Sequence, residues 1–178
     1  MKFYPTPISD LFLAELKPYK DDRGFFTRTY CSSDLELVNI FKPITQINHS
    51  LSLKVGTVRG MHFQLPPHAE VKMVSCLKGR IFDVAVDIRQ GSPTFLQWFG
   101  EYLSPDNFKM MVIPEGFAHG FQVIEPNSEI LYFHTESYTP EFESGILYDD
   151  RSISIKWPLR VDEISERDQN HAQINEHF

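Results

Sequence analysis

Val58-Arg59-Gly60-Met61-His62-Phe63-Gln64 runs on through Leu65-Pro66-Pro67-His68 to Lys72. An arginine, a histidine and a lysine thus sit among apolar residues in one short span. In a regular strand His62 and Gln64 share one face, and Arg59, Met61 and Phe63 share the other. For Arg59 and His62 to serve one pocket, Gly60 must shift the parity, as a bulge does. An arginine beside a histidine able to act as a base, with a lysine further on, suits an anionic substrate undergoing proton transfer. A polar strand end whose cations face water would carry the same residues, and this stretch alone does not separate the two.

Downstream, Val71 to Leu77, the turn Lys78-Gly79 and Arg80 to Ile88 predict a hairpin. In its second half Phe82, Val84, Val86 and Ile88 are apolar on one face, with Asp83, Ala85 and Asp87 on the other. Met110 to Ile113 reads as a strand, and Pro114, Gly116 and Gly120 around His119 read as a tight corner carrying that histidine. Glu129 to Thr135 is a strand with Tyr132 and His134 on one face, and Ile153 to Pro158 a short closing strand. From Asp162 onward the tail is polar.

Upstream, the apolar patches within residues 1–20 read as edge strands or an exchanged arm. Asp21-Asp22-Arg23-Gly24 is turn chemistry, after which Phe25 and Phe26 are expected to re-enter the core. Ser33-Asp34-Leu35-Glu36 predicts a capping box and a short helix to about Asn39. In Ile44 to Ser50, Gln46 and Asn48 point away from Ile47; they are either ligands of a bound molecule or the solvent face of an antiparallel sheet. Many short strands, Gly/Pro turns and one or two helices predict an all-β fold, an antiparallel sandwich or barrel. No repeat or linker divides the 178 residues, so one domain spanning 1–178 is expected, with a tail over about 162–178.

Composition narrows the function. The formal charge of -7 excludes a broad basic face for nucleic acid but not a local basic pocket for a small anion. Two cysteines, Cys31 and Cys76, are too few for a disulfide framework or for a structural zinc site unaided by histidine. The start lacks an apolar signal core, and no run reaches the roughly 18 apolar residues of a membrane span, which predicts a cytoplasmic protein with no membrane partner.

His62-Phe63-Gln64 followed by Pro114 to His119 resembles the two motifs of the cupin superfamily. Metal cupins place a second histidine where Gln64 stands and a glutamate where Lys72 stands. A fixed ammonium repels a cation and a neutral amide is a poor substitute for imidazole, so no metal is expected at these positions. Without one, His62, Lys72, His119 and Tyr132 are parts for proton abstraction beside a ketone: a histidine to remove the proton, a lysine to hold the oxyanion, a tyrosine to return a proton. Taken singly, His62 or Tyr132 fits equally well as a core residue with a satisfied polar tip.

Several motifs occur together and in order: Arg59-Gly60-Met61-His62-Phe63-Gln64, Phe82 to Arg89, Ser92-Pro93-Thr94-Phe95 and Ile113 to Phe121. Asp22-Arg23-Gly24-Phe25-Phe26, Asn48-His49-Ser50, Asp149-Asp150 and Ile155-Lys156-Trp157-Pro158 join them. Together they resemble the dTDP-4-dehydrorhamnose 3,5-epimerase family over nearly the whole chain. The resemblance implies a cupin-type jelly roll, a homodimer with exchanged N-terminal strands, no cofactor, and epimerisation of a nucleotide-linked 4-keto-6-deoxy sugar. It implies His62 as base, oriented by Asp168, Lys72 at the enolate oxygen, and Tyr132 as acid. Arg23 and Arg59 would bind the diphosphate with help from Gln46, Asn48, His119 and Glu143, and Tyr138 would stack on the nucleobase. Three positions depart from the family pattern. Arg28 stands where an acidic residue is usual, Arg167 replaces a lysine before Asp168, and Tyr148 replaces a tryptophan. Arg28 and Arg167 fall in the ligand region, so they bear on which nucleotide or sugar is accepted rather than on the chemistry. A C3-only or C5-only epimerase, an isomerase of another nucleotide keto-sugar, and a non-catalytic sugar-nucleotide-binding cupin are the alternative readings.

Overall fold

Alternating side chains build most of this molecule, because each strand has something to bury on both faces. The computed structural model describes residues 1–174; the last four positions of the polar tail lie outside the described residues. In chain order the strands begin with β1 (Lys2–Pro5), β2 (Phe12–Glu15), β3 (Tyr19–Asp21), β4 (Gly24–Phe26) and β5 (Gln46–Ser52). There follow β6 (Thr57–Gln64), β7 (Lys72–Lys78), β8 (Ile81–Asp87), β9 (Trp98–Leu103) and β10 (Lys109–Ile113). The last are β11 (Phe117–Val123), β12 (Ser128–His134), β13 (Glu143–Gly145) and β14 (Glu163–Ile164). Two short helices, α1 (Ser32–Leu35) and α2 (Glu166–Gln169), complete the regular structure.

The strands form two facing sheets in jelly-roll fashion. One has the order β1-β2-β10-β7-β12-β5; the other has the order β13-β6-β11-β8-β9, with β14 also on β6. Between them lies an apolar core containing Val74, Ile81, Ala85, Met111, Phe121 and Ile130. On the outer side of the second sheet Phe82, Val84 and Val86 pack under Ile146, Ile153 and Ile155. On the outer side of the first, Met73, Met110, Val112 and Phe133 pack with Leu35 of α1. Three apolar layers explain why β8 and β11 are buried along their whole length. Among the described residues no helix is long and apolar enough to cross a membrane.

The expected alternation holds in β5, β8 and β12, but several local expectations fail. β7 and β8 are not a hairpin: the chain passes at Lys78–Arg80 from one sheet to the other, where β7 pairs with β10 and β12, and β8 with β11 and β9. A two-residue glycine turn serves a sandwich corner as well as a hairpin, and long-range pairing decides between them. Phe25 and Phe26 do not enter the core. β3 and β4 pair only with each other, leaving Tyr19, Phe25 and Phe26 76%, 59% and 73% exposed. The capping box does not form. α1 starts after Cys31 without a side-chain cap, and a 3₁₀ turn carries the chain to Asn39 in the left-handed conformation. His119 lies within β11; the corner before it is Pro114–Gly116, with Gly116 at φ +77°. Residues 153–158 form no strand, because Ser154 adopts φ +54° and breaks the extension, although Ile153 and Ile155 are buried. The polar tail is docked: β14 runs parallel to β6 and leads into α2.

Candidate active site

Gly60 makes the site possible. Along β6 and β11, His62 pairs with His119 and Arg59 with Phe121, so two residues on β6 face the single residue Gly120. This is the parity shift that Arg59 and His62 require if both are to face one pocket. Gly60 sits at φ +126°, and a Cβ there would lie 2.5 Å from Gly120 Cα, so only glycine fits. Met61, meanwhile, points out into the apolar layer behind the sheet.

The pocket is a cavity of about 1100 Å³ between the sheets. His62, Lys72, Tyr132, Asp168, Gln46, Asn48, Arg59, His119, Tyr138, Glu143 and Arg167 all line it. The amides of Gln46 and Asn48 therefore face the cavity, and the outward side of β5 carries the apolar Ile47 instead. Of the residues assigned to the site by sequence, Arg23 and Arg28 lie outside this cavity. Arg23 is at the tip of the β3–β4 hairpin, its side chain 90% exposed and, among the described residues, paired with Asp21 alone. Arg28 is exposed beyond the same hairpin.

His62 and Asp168 form a dyad. Nε2 of His62 lies 2.8 Å from Asp168 Oδ1, while Oδ2 accepts the Gly60 N–H at 3.0 Å. Ser165 caps α2 by accepting the Asp168 N–H at 3.1 Å, which fixes the carboxylate. Burial pushes the Asp168 carboxyl up, but the His62 and Gly60 hydrogen bonds outweigh it and hold the group down at about 2. Asp168 is thus ionised at neutral pH and only accepts, so Nε2 of neutral His62 donates and Nδ1 keeps its lone pair.

A second dyad joins His119 Nε2 to Asp83 Oδ1 at 2.7 Å. Burial depresses the His119 pKa below its usual value despite that carboxylate, with Lys72 and His62 adding to the depression. On the opposite sheet, burial raises the Tyr132 hydroxyl well above the ordinary phenol range, and its oxygen lies 3.0 Å from Ser50 Oγ. Lys72 Nζ lies 3.2 Å from Glu70 Oε1, and Glu70 Oε2 lies 2.8 Å from His134 Nδ1. Burial would raise Glu70, but the His134 hydrogen bond and the Lys72 charge hold its carboxyl below the usual range. His134 in turn meets Asn48 at 3.3 Å. At the rim, Tyr138 donates to Glu143 at 2.6 Å and Arg167 pairs with the same carboxylate at 2.7 Å. Arg59 is held at the mouth, its Nε donating to Ser52 Oγ at 3.0 Å.

Glu70, Asp83 and His134 belong to this site but were not assigned to it by sequence. Asp83 had left a signal, an acid on a face of β8 that turns inward. Glu70 comes from a loop that has no periodicity to read. Gln64 and Lys72, at two of the cupin metal positions, hold partners of their own. Gln64 donates to His68 O at 3.1 Å and accepts from the Thr139 N–H at 2.7 Å, while Lys72 is paired with Glu70. Among the described residues the metal-ligating donors that do converge are those of His62, Asp168 and His171.

Known proteins resemble this chain in sequence and in fold. The profile of the family described as dTDP-4-dehydrorhamnose 3,5-epimerase matches residues 5–176. The enzyme of that name from Shigella flexneri is 43% identical over 171 residues, 96% of this chain and 94% of its own. A solved structure of the Bacillus anthracis enzyme, with TDP and PPi bound, superposes with a TM-score of 0.93 at 39% identity, covering 97% of this chain and 99% of its own. A Legionella pneumophila dTDP-6-deoxy-D-glucose-3,5-epimerase in complex with dTDP-4-keto-L-rhamnose gives 0.92 at 41% identity, covering 97% and 92%. By its fold, its motifs and these likenesses, the chain belongs to the dTDP-4-dehydrorhamnose 3,5-epimerase family of isomerases.

Proposed function

We propose that His62, Lys72 and Tyr132 carry the epimerisation of a dTDP-linked 4-keto-6-deoxy sugar at C3 and C5, with no cofactor. The observation that supports this best is the placement of base and acid on opposing sheets, His62 on β6 and Tyr132 on β12, with the cavity between them. Inversion at carbon needs a proton removed from one face and returned to the other.

The C4 ketone acidifies the hydrogens on C3 and C5. His62 Nδ1 takes one of these protons, and Asp168 stabilises the resulting imidazolium through Nε2–H. The electron pair moves onto the C4 oxygen, where the Lys72 ammonium holds the enolate. Tyr132 keeps its proton until then, because burial disfavours the phenolate. It then delivers that proton to the opposite face of the carbon. His62 loses its proton to solvent and Tyr132 regains one, which resets the site. Each positioned acid or base contributes roughly 10²–10⁴-fold. Arg59 binds the diphosphate, Tyr138 at the rim stacks on the nucleobase, and Gln46, Asn48, His119, Glu143 and Arg167 position the ligand.

The chain acts as a homodimer in the cytoplasm, where its two free cysteines stay reduced. The exposed aromatic residues of the β3–β4 hairpin support this, as does Arg23 held away from its own cavity. A second copy would cover those aromatics, and Arg23 would reach the diphosphate in the partner's site.

Incubation with dTDP-4-keto-6-deoxyglucose in deuterated water tests the reaction by NMR. Deuterium at both C3 and C5 of the product is expected. Absence of label at either carbon overturns the two-centre reading, and absence at both overturns the chemistry.

A further inference from the structure

Next to the His62–Asp168 dyad stands a second imidazole that the epimerisation does not use. His171 Nε2 is 3.7 Å from Asp168 Oδ1, the same oxygen that His62 Nε2 approaches at 2.8 Å. The two imidazole rings meet edge to face with centroids 5.5 Å apart. Nε2 of His171 is buried and, among the described residues, has no hydrogen-bond partner. A buried polar atom without a partner is costly, and imidazole nitrogen is a favoured donor to borderline metal ions. The ring is also held in place: it lies flat against Gly145, where any Cβ would strike it, and the Ile146–Ala172 bridge fixes the following backbone.

We propose that His62, Asp168 and His171 form a zinc site in which the bound ion inhibits the enzyme. The three donor atoms lie within 4.8 Å of one another. A tetrahedral ion with bonds of about 2.0–2.1 Å needs its donors about 3.4 Å apart, and the two spacings to Asp168 bracket that value. Two imidazoles and one carboxylate leave a fourth position for water, the open arrangement of a protein-bound zinc ion. The supports are already present: the Gly60 N–H holds Oδ2 of the carboxylate and Ser165 caps the helix that carries it.

Inhibition follows from the tautomer of His62 and rests on its role as the base. In the free enzyme Nε2 carries the ring's one proton and Nδ1 carries the lone pair. Zinc takes the lone pair of Nε2, so the proton must reside on Nδ1, where the substrate's hydrogen would otherwise go. No atom is gained or lost by the ring, but the base is gone. Zinc binding and proton abstraction therefore exclude each other.

Metal-stripped protein titrated with zinc sulfate by calorimetry is expected to bind about one ion per chain. With cobalt(II) in its place, the visible absorption of a tetrahedral ion should appear. His171→Ala should weaken binding at least ~10-fold, as should His171→Gln, which keeps the packing against Gly145 without an imidazole. Neither variant should lose solvent-deuterium exchange in the absence of metal. Exchange in the unsubstituted enzyme should fall in step with zinc occupancy and return on adding EDTA. Equal zinc affinity in the His171 variants, or no saturable binding up to millimolar zinc, overturns the site. Zinc bound through His171 with exchange undiminished overturns His62 as the base and the inhibition with it, while leaving coordination demonstrated.

Discussion

Arg59 and Arg23 are assigned the same ligand, the diphosphate, yet the fold treats them in opposite ways. Arg59 stands on a bulged central strand, tied to Ser52 at the mouth of the cavity. Arg23 stands on a two-stranded hairpin that, among the described residues, pairs with no other strand, beside two exposed phenylalanines. The contrast separates two jobs. The groups proposed to move protons, His62, Lys72 and Tyr132, line one cavity of one chain and stand on sheet strands. The proposed grip on the phosphates is completed, on this reading, only when a second copy covers the hairpin.

His62→Ala would break the inner half most severely. A loss of exchange of about 10²–10⁴-fold is expected with the fold retained, because the His62 side chain is 30% exposed and Asp168 keeps the Gly60 N–H as a partner. Lys72→Met should come next, with about a 10²–10³-fold fall in kcat from the missing charge at the enolate oxygen. Its KM should move less, since the ammonium matters most once the ketone carries charge.

Arg23→Ala should act through binding, raising KM by about tenfold, the worth of one charge-assisted hydrogen bond, with kcat largely kept. Mixing it with His62→Ala sharpens the comparison. If Arg23 serves the partner's site, mixed dimers contain one intact site, and binding should recover in proportion to their number. No recovery on mixing, in dimers shown to exchange subunits, would place Arg23 in its own chain's site.

The smallest effect is the pH dependence of stability. His119 has a depressed pKa in the fold, so the unfolded chain takes up a proton first as the solution is acidified. Its contribution is complete above about pH 6.5 and fades below it. Asp168 is held at about 2, so its contribution is complete above the ordinary carboxylate range and is lost as the pH falls towards 2. Urea denaturation across this range should show two successive losses, and His119→Gln should reduce the one at higher pH.

Much of the site could be read from the sequence because the strands that carry it alternate cleanly. Gln46 with Asn48, and Tyr132 with His134, were placed on common faces by parity alone, and Gly60 was marked as the point where parity must break. What parity does not encode is which strands become neighbours, and the mistaken β7–β8 hairpin shows this. Lys78-Gly79 announces a reversal, and only the pairing of β7 with β12, far along the chain, shows that the reversal changes sheets. Phe25 and Phe26 misled for another reason. Apolar side chains signal burial, but not whether the burying partner belongs to the same chain. Residues 153–158 carry apolar side chains enough for a strand, and Ile153 and Ile155 are buried, but Ser154 turns the backbone away from any ladder. Glu70 and His171 stand in irregular segments, where only the folded chain shows that one meets Lys72 and the other Asp168.

The central claim is that base and acid reach the reacting carbon from opposite sheets. Tyr132→Phe tests it most directly when assayed with the 4-keto sugar in deuterated water. His62 should still remove the hydrogen and return deuterium to the same face, so label should enter C3 or C5 while the starting configuration is kept. Inversion at the rate of the unsubstituted enzyme would contradict the account, because the proton would then be arriving from somewhere other than the wall that carries Tyr132.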